Sequence, residues 1–215
     1  RVVALDGTYA GLAASILSFN WNRSSGTVDD AIVLSETRIN LGLRIAAMQK
    51  TADITISAYR IAAPTDMLAP VRFWVDGNYD NPMTPTTPGL LADFRASYSA
   101  GQPTRYSIEG DTEDGSEGGT DGEYFVFGPD PGTTTYTAKL LYVRRLPSLL
   151  TVGTNLVLRR YPNLYLYAAL DELGAYSDDP RTYGQRFEDL IARINTQAQS
   201  DATAGGPLQP KSPYT

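Results

Sequence analysis

The sequence predicts an α+β fold, in which N-terminal and C-terminal helices pack as a small helical bundle with an inserted antiparallel β-sheet region. Near both ends of the chain, apolar residues recur every three or four positions, which is the period of a helix face. In the middle of the chain the period falls toward two, which is typical of strands. Each element has an apolar side that a second layer must cover, and terminal helices around a central sheet satisfy that need.

The first predicted helix lies in the N-terminal helical segment, residues 1–50. Thr8 is the expected N-cap, because its hydroxyl can accept a hydrogen bond from the first helical turn. Leu12, Ile16 and Phe19 follow at a spacing that places them on one face. We expect this helix to end before Gly26.

The second predicted helix begins after Thr27, the expected N-cap, and two Asp residues in its first turn complement the helix dipole. Glu36, Arg38 and Asn40 flank its apolar positions. We interpret these three as solvated helix surface, because charged side chains are mostly exposed in proteins. Contact between subunits is the alternative.

The β-rich region is predicted for residues 51–150. Its first strands begin at Thr51, and a later strand places Val71, Phe73 and Val75 on one face before it turns at Gly77. A loop with three Pro residues then leads to a short helix near residues 90–98. Three further strands are predicted at 104–109, 123–127 and 134–143.

The C-terminal part is predicted to form a helix pair over residues 151–198, which packs on the N-terminal helices. Asp178, Asp179 and Pro180 are expected to separate the two helices, since Pro fits a first helical turn. Residues 199–215 are predicted to form an extended C-terminal arm, because they contain three Pro, two Gly and almost no periodic apolar residue.

Several segments occur in an order that a known family shares. They include YPNLYLYAALDELGAYSDDPR at 161–181, the helix-to-strand passage at 27–56, and APTDMLAPVRFWVDG at 63–77. With three further strand segments, they resemble the head-to-tail adaptor (connector) proteins of tailed bacteriophages over most of the chain. The resemblance implies a structural virion protein that forms a ring of about twelve copies, joins the portal to the tail and lines the DNA passage.

The same resemblance implies the partners of the chain. They are further copies of itself, the portal protein, and a tail tube or nozzle protein. The expected location is the head–tail interface at a capsid vertex of the virion, after assembly in the host cytoplasm.

Composition narrows the function classes. The chain has no Cys and no His, which excludes disulfides, Cys/His zinc sites and an imidazole general base. No catalytic residue, metal or cofactor is predicted, and we expect a protein that is not an enzyme. No run of about 20 apolar residues is present, so no membrane span is predicted. The net charge of −6 disfavours a phosphate-binding surface, so DNA is expected to pass without specific binding.

Two groups of residues are candidates for partner binding. Arginine pairs occur near the predicted end of the sheet and the start of the closing helices, and apolar anchors occur in the arm: Arg144, Arg145, Arg159, Arg160, Leu208, Pro210 and Tyr214. The arginines are interpreted as ion-pairing groups at the surface or between subunits, with phosphate contact as the alternative. The arm is interpreted either as a free terminus or as a segment that docks on an adjacent ring protein.

An acidic, Gly-rich segment at residues 111–122 is interpreted as a hairpin loop. Its Gly115 falls at the wrong position for a calcium-binding EF-hand loop. Ordering against a neighbouring subunit and cation binding remain alternatives.

A second function class stays open at this point. A β-rich module that binds carbohydrate or another surface would use exposed aromatic rings, and Trp74, Tyr79 and Tyr106 are its candidates.

Overall fold

The computed structural model describes residues 5–19, 25–110, 122–175 and 183–204. Its helices are α1 (Tyr9–Ser18), α2 (Ser25–Gly42), α3 (Pro88–Ser97), α4 (Leu149–Val152), α5 (Leu156–Arg160), α6 (Pro162–Ala175) and α7 (Tyr183–Ala204). Its strands are β1 (Gln49–Ile56), β2 (Arg60–Ala62), β3 (Met67–Val75), β4 (Thr84–Pro85), β5 (Arg105–Gly110), β6 (Glu123–Gly128) and β7 (Tyr136–Arg144). The predicted α+β class is confirmed.

The chain divides into two compact units. Residues 1–48 and 146–215 form the helical unit, and residues 49–145 form the sheet unit. The N-terminal and C-terminal helices therefore belong to one unit although the whole β-rich region separates them along the chain.

The helical unit is built around α6, which is buried on most of its sides. Helices α1, α2, α5 and α7 pack against it, as the predicted bundle requires. Its core side chains include Leu12, Ile16, Ile32, Ile39, Leu43, Leu164, Leu170, Leu173 and Phe187. Burial of these side chains is the main stabilising contribution to the bundle.

The two N-terminal helices begin in different ways. The Thr8 hydroxyl accepts a hydrogen bond from the Gly11 N–H at 3.1 Å, which confirms Thr8 as the N-cap of α1. Helix α2 already begins at Ser25, so the prediction of Thr27 as its N-cap is wrong. Gly26 and Thr27 therefore lie in the first turn of α2.

The sheet unit contains two sheets whose apolar faces meet. One has the strand order β1-β7-β3 and the other has the order β2-β6-β5-β4. Phe73 on β3 packs edge-on against Tyr106, Phe125 and Phe127 of the second sheet, with ring centroids 5.1–5.6 Å apart. These aromatic rings form the centre of the core of this unit.

The described strands of the sheet unit pair antiparallel, as predicted, with one exception. The short strand β4 runs parallel to β5. Helix α3 connects them, and a helical crossover is the usual way to join two parallel strands.

Strand β3 departs from the predicted alternation. Phe73, Trp74 and Val75 are all buried, whereas Val71 is 50% exposed, so the expected single face of Val71, Phe73 and Val75 is wrong at Val71. The pairing register with β7 shifts between Pro70 and Arg72. Such a bulge redirects the side chains of an edge strand, where a Pro without an N–H is also tolerated.

The closing helices extend further than predicted. Residues 199–204 of the expected arm are helical, because α7 continues to Ala204. The first Gly or Pro residues after Gly184 are Gly205, Gly206 and Pro207, which explains why the helix does not end at residue 198. The predicted break at Asp178–Pro180 lies outside the described residues.

Candidate interaction surfaces

One side of α2 is aliphatic and exposed. Val33, Leu34, Thr37 and Leu41 recur at spacings of three, four and seven, so they share a face, which we call the α2 outer face. The Leu41 side chain is 67% exposed. The opposite side of the same helix, with Val28, Ile32 and Ile39, is fully buried in the bundle. Helix α2 is therefore apolar on both sides, which differs from an ordinary surface helix.

The polar residues predicted as solvated surface on α2 are engaged within the helical unit. Glu36 accepts a hydrogen bond from the Leu149 N–H at 2.5 Å, and Asn40 accepts one from the Leu146 N–H at 2.9 Å. The prediction of a solvated surface for Glu36 and Asn40 is wrong. The backbone of residues 146–149 needs acceptors there, because an unpaired buried N–H costs about 1–3 kcal/mol.

Arg38 connects three helices. Its guanidinium lies 2.7 Å from Asp171 and 3.0 Å from Glu172 on α6, and 3.4 Å from Glu188 on α7. It also lies over the Phe187 ring at 4.5 Å. Partial burial lowers the pKa of Arg38, but the hydrogen bonds to the two α6 carboxylates outweigh this effect and raise the pKa overall. The prediction of a solvated role is wrong for Arg38 as well.

The C-terminal end of α2 is held by α7. The Asn195 side chain accepts a hydrogen bond from the Arg44 N–H at 2.8 Å and donates one to the Gly42 carbonyl at 2.9 Å. Helix ends leave such carbonyls without partners within the helix. Asn195 therefore fixes α2, and with it the α2 outer face.

The four predicted arginines are divided between the units. Arg144 is the last residue of β7 in the sheet unit, and Arg145 follows it. The exposed Arg145 lines a cavity of about 280 Å³ with Met67 and Tyr124. Arg159 and Arg160 end α5 in the helical unit. Arg160 lines a second cavity, of about 240 Å³, together with Tyr161. Partner binding by these arginines stays a prediction.

Leu208, Pro210 and Tyr214 lie outside the described residues, as do residues 111–121 of the acidic segment.

The aromatic residues of the carbohydrate hypothesis are not gathered on a surface. Tyr106 and Trp74 are 4% and 8% exposed, and only Tyr79 is open, at 58%. Tyr106 belongs to the aromatic core, and Trp74 packs edge-on against Tyr79 at 5.3 Å. A sugar ring would need an accessible aromatic face, so this interpretation is wrong for Trp74 and Tyr106.

Comparison with family models gives a match along almost the whole chain. The family model "SU10 adaptor protein" matches residues 7–211. The chain belongs to this family. The predicted resemblance to phage adaptor proteins is confirmed, and the adaptor is a structural phage protein and a component of the virion. No curated protein matches its sequence.

Two further features of the adaptor bear on its surfaces. Within its described residues, no helix is long and apolar enough to cross a membrane. The same part of the chain contains no group of three or more acidic side chains placed to hold a metal ion.

Sequence reasoning missed the polar contacts that shape the adaptor. Glu36, Arg38, Asn40 and Asn195 were visible only as polar positions on helices. A signal was present for Asn40, because an amide so close to the apolar positions of a helix tends to be buried with a hydrogen-bonding partner. Its partner could not be read from the sequence.

Proposed function

We propose that this adaptor assembles into a ring of about twelve copies that joins the portal to the tail and surrounds the DNA passage. Membership of a phage adaptor family supports a role in joining virion parts. A closed ring needs a contact in which one face of each copy meets a different face of the next.

The observation that carries the proposal is the α2 outer face. Its aliphatic side chains are exposed on a helix that the bundle holds rigidly from the other side. Covering apolar surface is favourable by about 25 cal/mol per Å², so this face favours a protein partner over water. In the ring, a neighbouring copy covers it.

The other parts take the remaining contacts. Residues 1–50 and 151–198 carry the subunit contacts, whereas region 51–150 and the residues after 204 meet the portal and the tail tube or nozzle protein. Arg144, Arg145, Arg159 and Arg160 form ion pairs across these contacts, and Leu208, Pro210 and Tyr214 anchor the arm on an adjacent ring protein. The adaptor has no catalytic role, and it joins the virion during assembly in the host cytoplasm.

DNA can pass through the ring only if the surface that lines the passage does not bind it tightly. A net charge of −6 repels the phosphate backbone on average, and tight non-specific binding needs clustered cations. The genome therefore passes through the ring without specific contacts.

Native mass spectrometry of the chain mixed with purified portal rings tests the proposal. The expected species carries about twelve adaptors per portal. Leu41→Asp places a charge on the α2 outer face and should abolish this species while the monomer stays folded by circular dichroism. Leu41→Met, which keeps the α2 outer face apolar, is the matched control and should leave the species intact. Normal assembly of Leu41→Asp would exclude the α2 outer face, and absence of any portal complex would exclude the ring.

A further inference from the structure

Strand β1 forms an open edge of the sheet β1-β7-β3. It is eight residues long, and among the described strands it pairs only with β7. It contains no Pro, and its register with β7 continues without a shift from Gln49 to Ile56. A long, regular edge of this kind exposes a row of backbone N–H and C=O groups to which another strand can pair.

The other three edge strands of the two sheets are short or covered. On β3, Pro70 lies beside the register shift, and the Phe73 carbonyl accepts a hydrogen bond from the Met83 N–H at 2.8 Å. Strands β2 and β4 have three and two residues, and β4 includes Pro85. Proline, an irregular register, short length and cover by a loop are common means by which proteins protect a sheet edge. Strand β1 has none of these four.

The hydrogen-bond pattern shows which backbone groups of β1 face its open edge. The Thr137 carbonyl of β7 accepts a hydrogen bond from the Asp76 N–H at 2.8 Å, so Thr137 faces β3. Backbone groups alternate in direction along a strand, so Ala138 faces β1, where it pairs with Ile54. The residues of β1 that alternate with Ile54 therefore turn their N–H and C=O groups to the open edge: Thr51, Asp53 and Thr55. These groups form no hydrogen bond with another backbone group of the described residues.

The side chains of β1 also suit an added strand. On the core side, Ala52 and Ile54 are half-buried and pack against the core of the sheet unit. The opposite side of the strand is exposed and polar. Lys50 and Asp53 each pair with an opposite charge of the sheet unit, at 3.0 Å and 2.7 Å. No unmatched charge of β1 therefore opposes a strand that approaches its edge.

We propose that β1 is a docking site for an extended segment of another virion protein, which adds to β1 as a further strand. The segment has apolar side chains at alternate positions, where they cover Ala52 and Ile54, and polar side chains between them. Such strand addition gains affinity from main-chain hydrogen bonds and specificity from alternate side chains. The proposal rests on the proposed function, because it states how region 51–150 meets a partner.

A second copy of β1 is a poorer occupant. Two antiparallel β1 strands related by a twofold axis place one residue opposite its own copy. Of the two registers with the longest overlap, one brings two Asp53 carboxylates opposite each other, and the other brings Lys50 opposite the half-buried Ile54. Like charges directly opposite each other destabilise a strand pair. A twofold pair also joins only two copies and does not build a ring.

Amide hydrogen exchange, resolved to single residues by mass spectrometry, tests the proposal. The full chain is measured alone, with purified portal rings, and with purified tail tube or nozzle protein. In one of the two complexes, the amides of Thr51, Asp53 and Thr55 should exchange at least about tenfold more slowly than in the free chain, because each gains a hydrogen bond. The amides of Ala52 and Ile54 already face β7, so they are the internal control and should exchange slowly in every sample.

Two substitutions at one position distinguish backbone pairing from simple burial. Thr51→Pro removes an N–H that faces the open edge, so it should preserve the bonds to β7 and weaken partner binding at least about tenfold. Thr51→Val keeps the N–H and suits a strand, so it is the matched control and should bind within about a factor of two of wild type. Circular dichroism checks that both variants fold, and Thr55→Pro replaces Thr51→Pro if the latter does not.

The outcomes separate this proposal from the proposed function. If native mass spectrometry shows a complex but the three edge amides exchange as in the free chain, the docking site is wrong and the ring is unaffected. Equal affinities of Thr51→Pro and Thr51→Val would also overturn the docking site. Slow exchange that appears in the chain alone as its concentration rises would show that the occupant is a second copy. If neither partner protein forms a complex, both the docking site and the proposed function are excluded.

Discussion

At the scale of single residues, the helical unit depends on close approaches that only particular side chains permit. Gly184, in the first turn of α7, is one of them. A Cβ at this position would lie 2.8 Å and 2.9 Å from the carboxylate oxygens of Asp171. That carboxylate is also the nearest partner of Arg38. The missing side chain at Gly184 therefore leaves room for the ion pair between α2 and α6.

We expect Gly184→Ala to destabilise the adaptor by about 1–3 kcal/mol, because the new methyl group must displace Asp171. Gly174→Ala in α6 is the matched control, since a Cβ there meets nothing within 4 Å. It should be neutral or stabilising by up to about 1 kcal/mol, owing to higher helix propensity. Urea unfolding measures both, and equal free energies of unfolding for the two variants would contradict the account.

A carboxylate in the sheet unit makes stability depend on pH. Asp66 accepts a hydrogen bond from the Tyr142 hydroxyl at 2.6 Å and pairs with Lys50 at 3.0 Å. Burial raises the pKa of Asp66, but these two donors outweigh it and hold the pKa below its ordinary value of 3.8. A carboxyl with a lowered pKa in the folded state stabilises the fold at higher pH, and that stability is lost as the pH falls through the folded pKa.

We therefore expect Asp66→Asn to be less stable than wild type near pH 7 and to lose less stability on acidification below about pH 4. Lys50→Met, which removes one of the two donors, should lose an intermediate amount of stability over the same pH range. Urea unfolding at a series of pH values measures this. If the free energies of unfolding of wild type and Asp66→Asn change in parallel with pH, Asp66 is not the source of the pH dependence.

At the scale of elements, Arg38 ties α2 to α6 and α7. Arg38→Met should destabilise the fold by about 1–3 kcal/mol, because Asp171 and Glu172 would face each other without a partly buried cation. Arg193→Met, at an exposed position on α7, should change stability by less than about 0.5 kcal/mol. The two free energies of unfolding are compared in low salt and in 1 M salt, where the cost at Arg38 should shrink by screening. Equal free energies of unfolding for Arg38→Met and Arg193→Met would show that Arg38 does not stabilise the packing of α2 on α6 and α7.

Elements defined by local patterns were predicted well, and those defined by distant partners were not. Thr8, the strand around Phe73 and the helix around Leu164 each have a periodic or capping signal in a few neighbouring residues. The partner of Arg38 is 133 positions away in the sequence, and no local pattern contains it. The exposure of Val71 depends on a register shift against β7, which sequence periodicity does not encode.

The candidate surfaces show the same division. The candidate arginines and arm residues were predicted from the sequence and stay predictions, but the cavity that Arg160 lines requires Ile45 and Ala198, which are distant in sequence. The α2 outer face was not predicted, because both its exposed and its buried sides are apolar and the sequence does not say which side is covered.

At the scale of the whole molecule, residues 49–145 form the sheet unit, and the chain enters and leaves this unit at paired positions of one sheet. Gln49, at the start of β1, pairs with Val143 near the end of β7. The two ends of the insertion are thus side by side in one sheet, and the aromatic core of this unit is formed from its own residues.

A fragment of residues 49–145 should therefore fold alone. We expect a strand-rich circular dichroism spectrum and one cooperative thermal transition, and Phe73→Ala in the fragment should abolish the transition by removing about 3–5 kcal/mol. A fragment without a cooperative transition would show that the sheet unit depends on the helical unit.

The proposed function requires each adaptor to be held between two identical copies in a ring. Electron cryomicroscopy of the adaptor bound to portal rings tests it most directly. The account predicts a closed ring on one end of the portal in which the α2 outer face of each copy, with Leu41, lies against the next copy. Single, separated copies on the portal, or a ring in which this face is open to solvent, would contradict it.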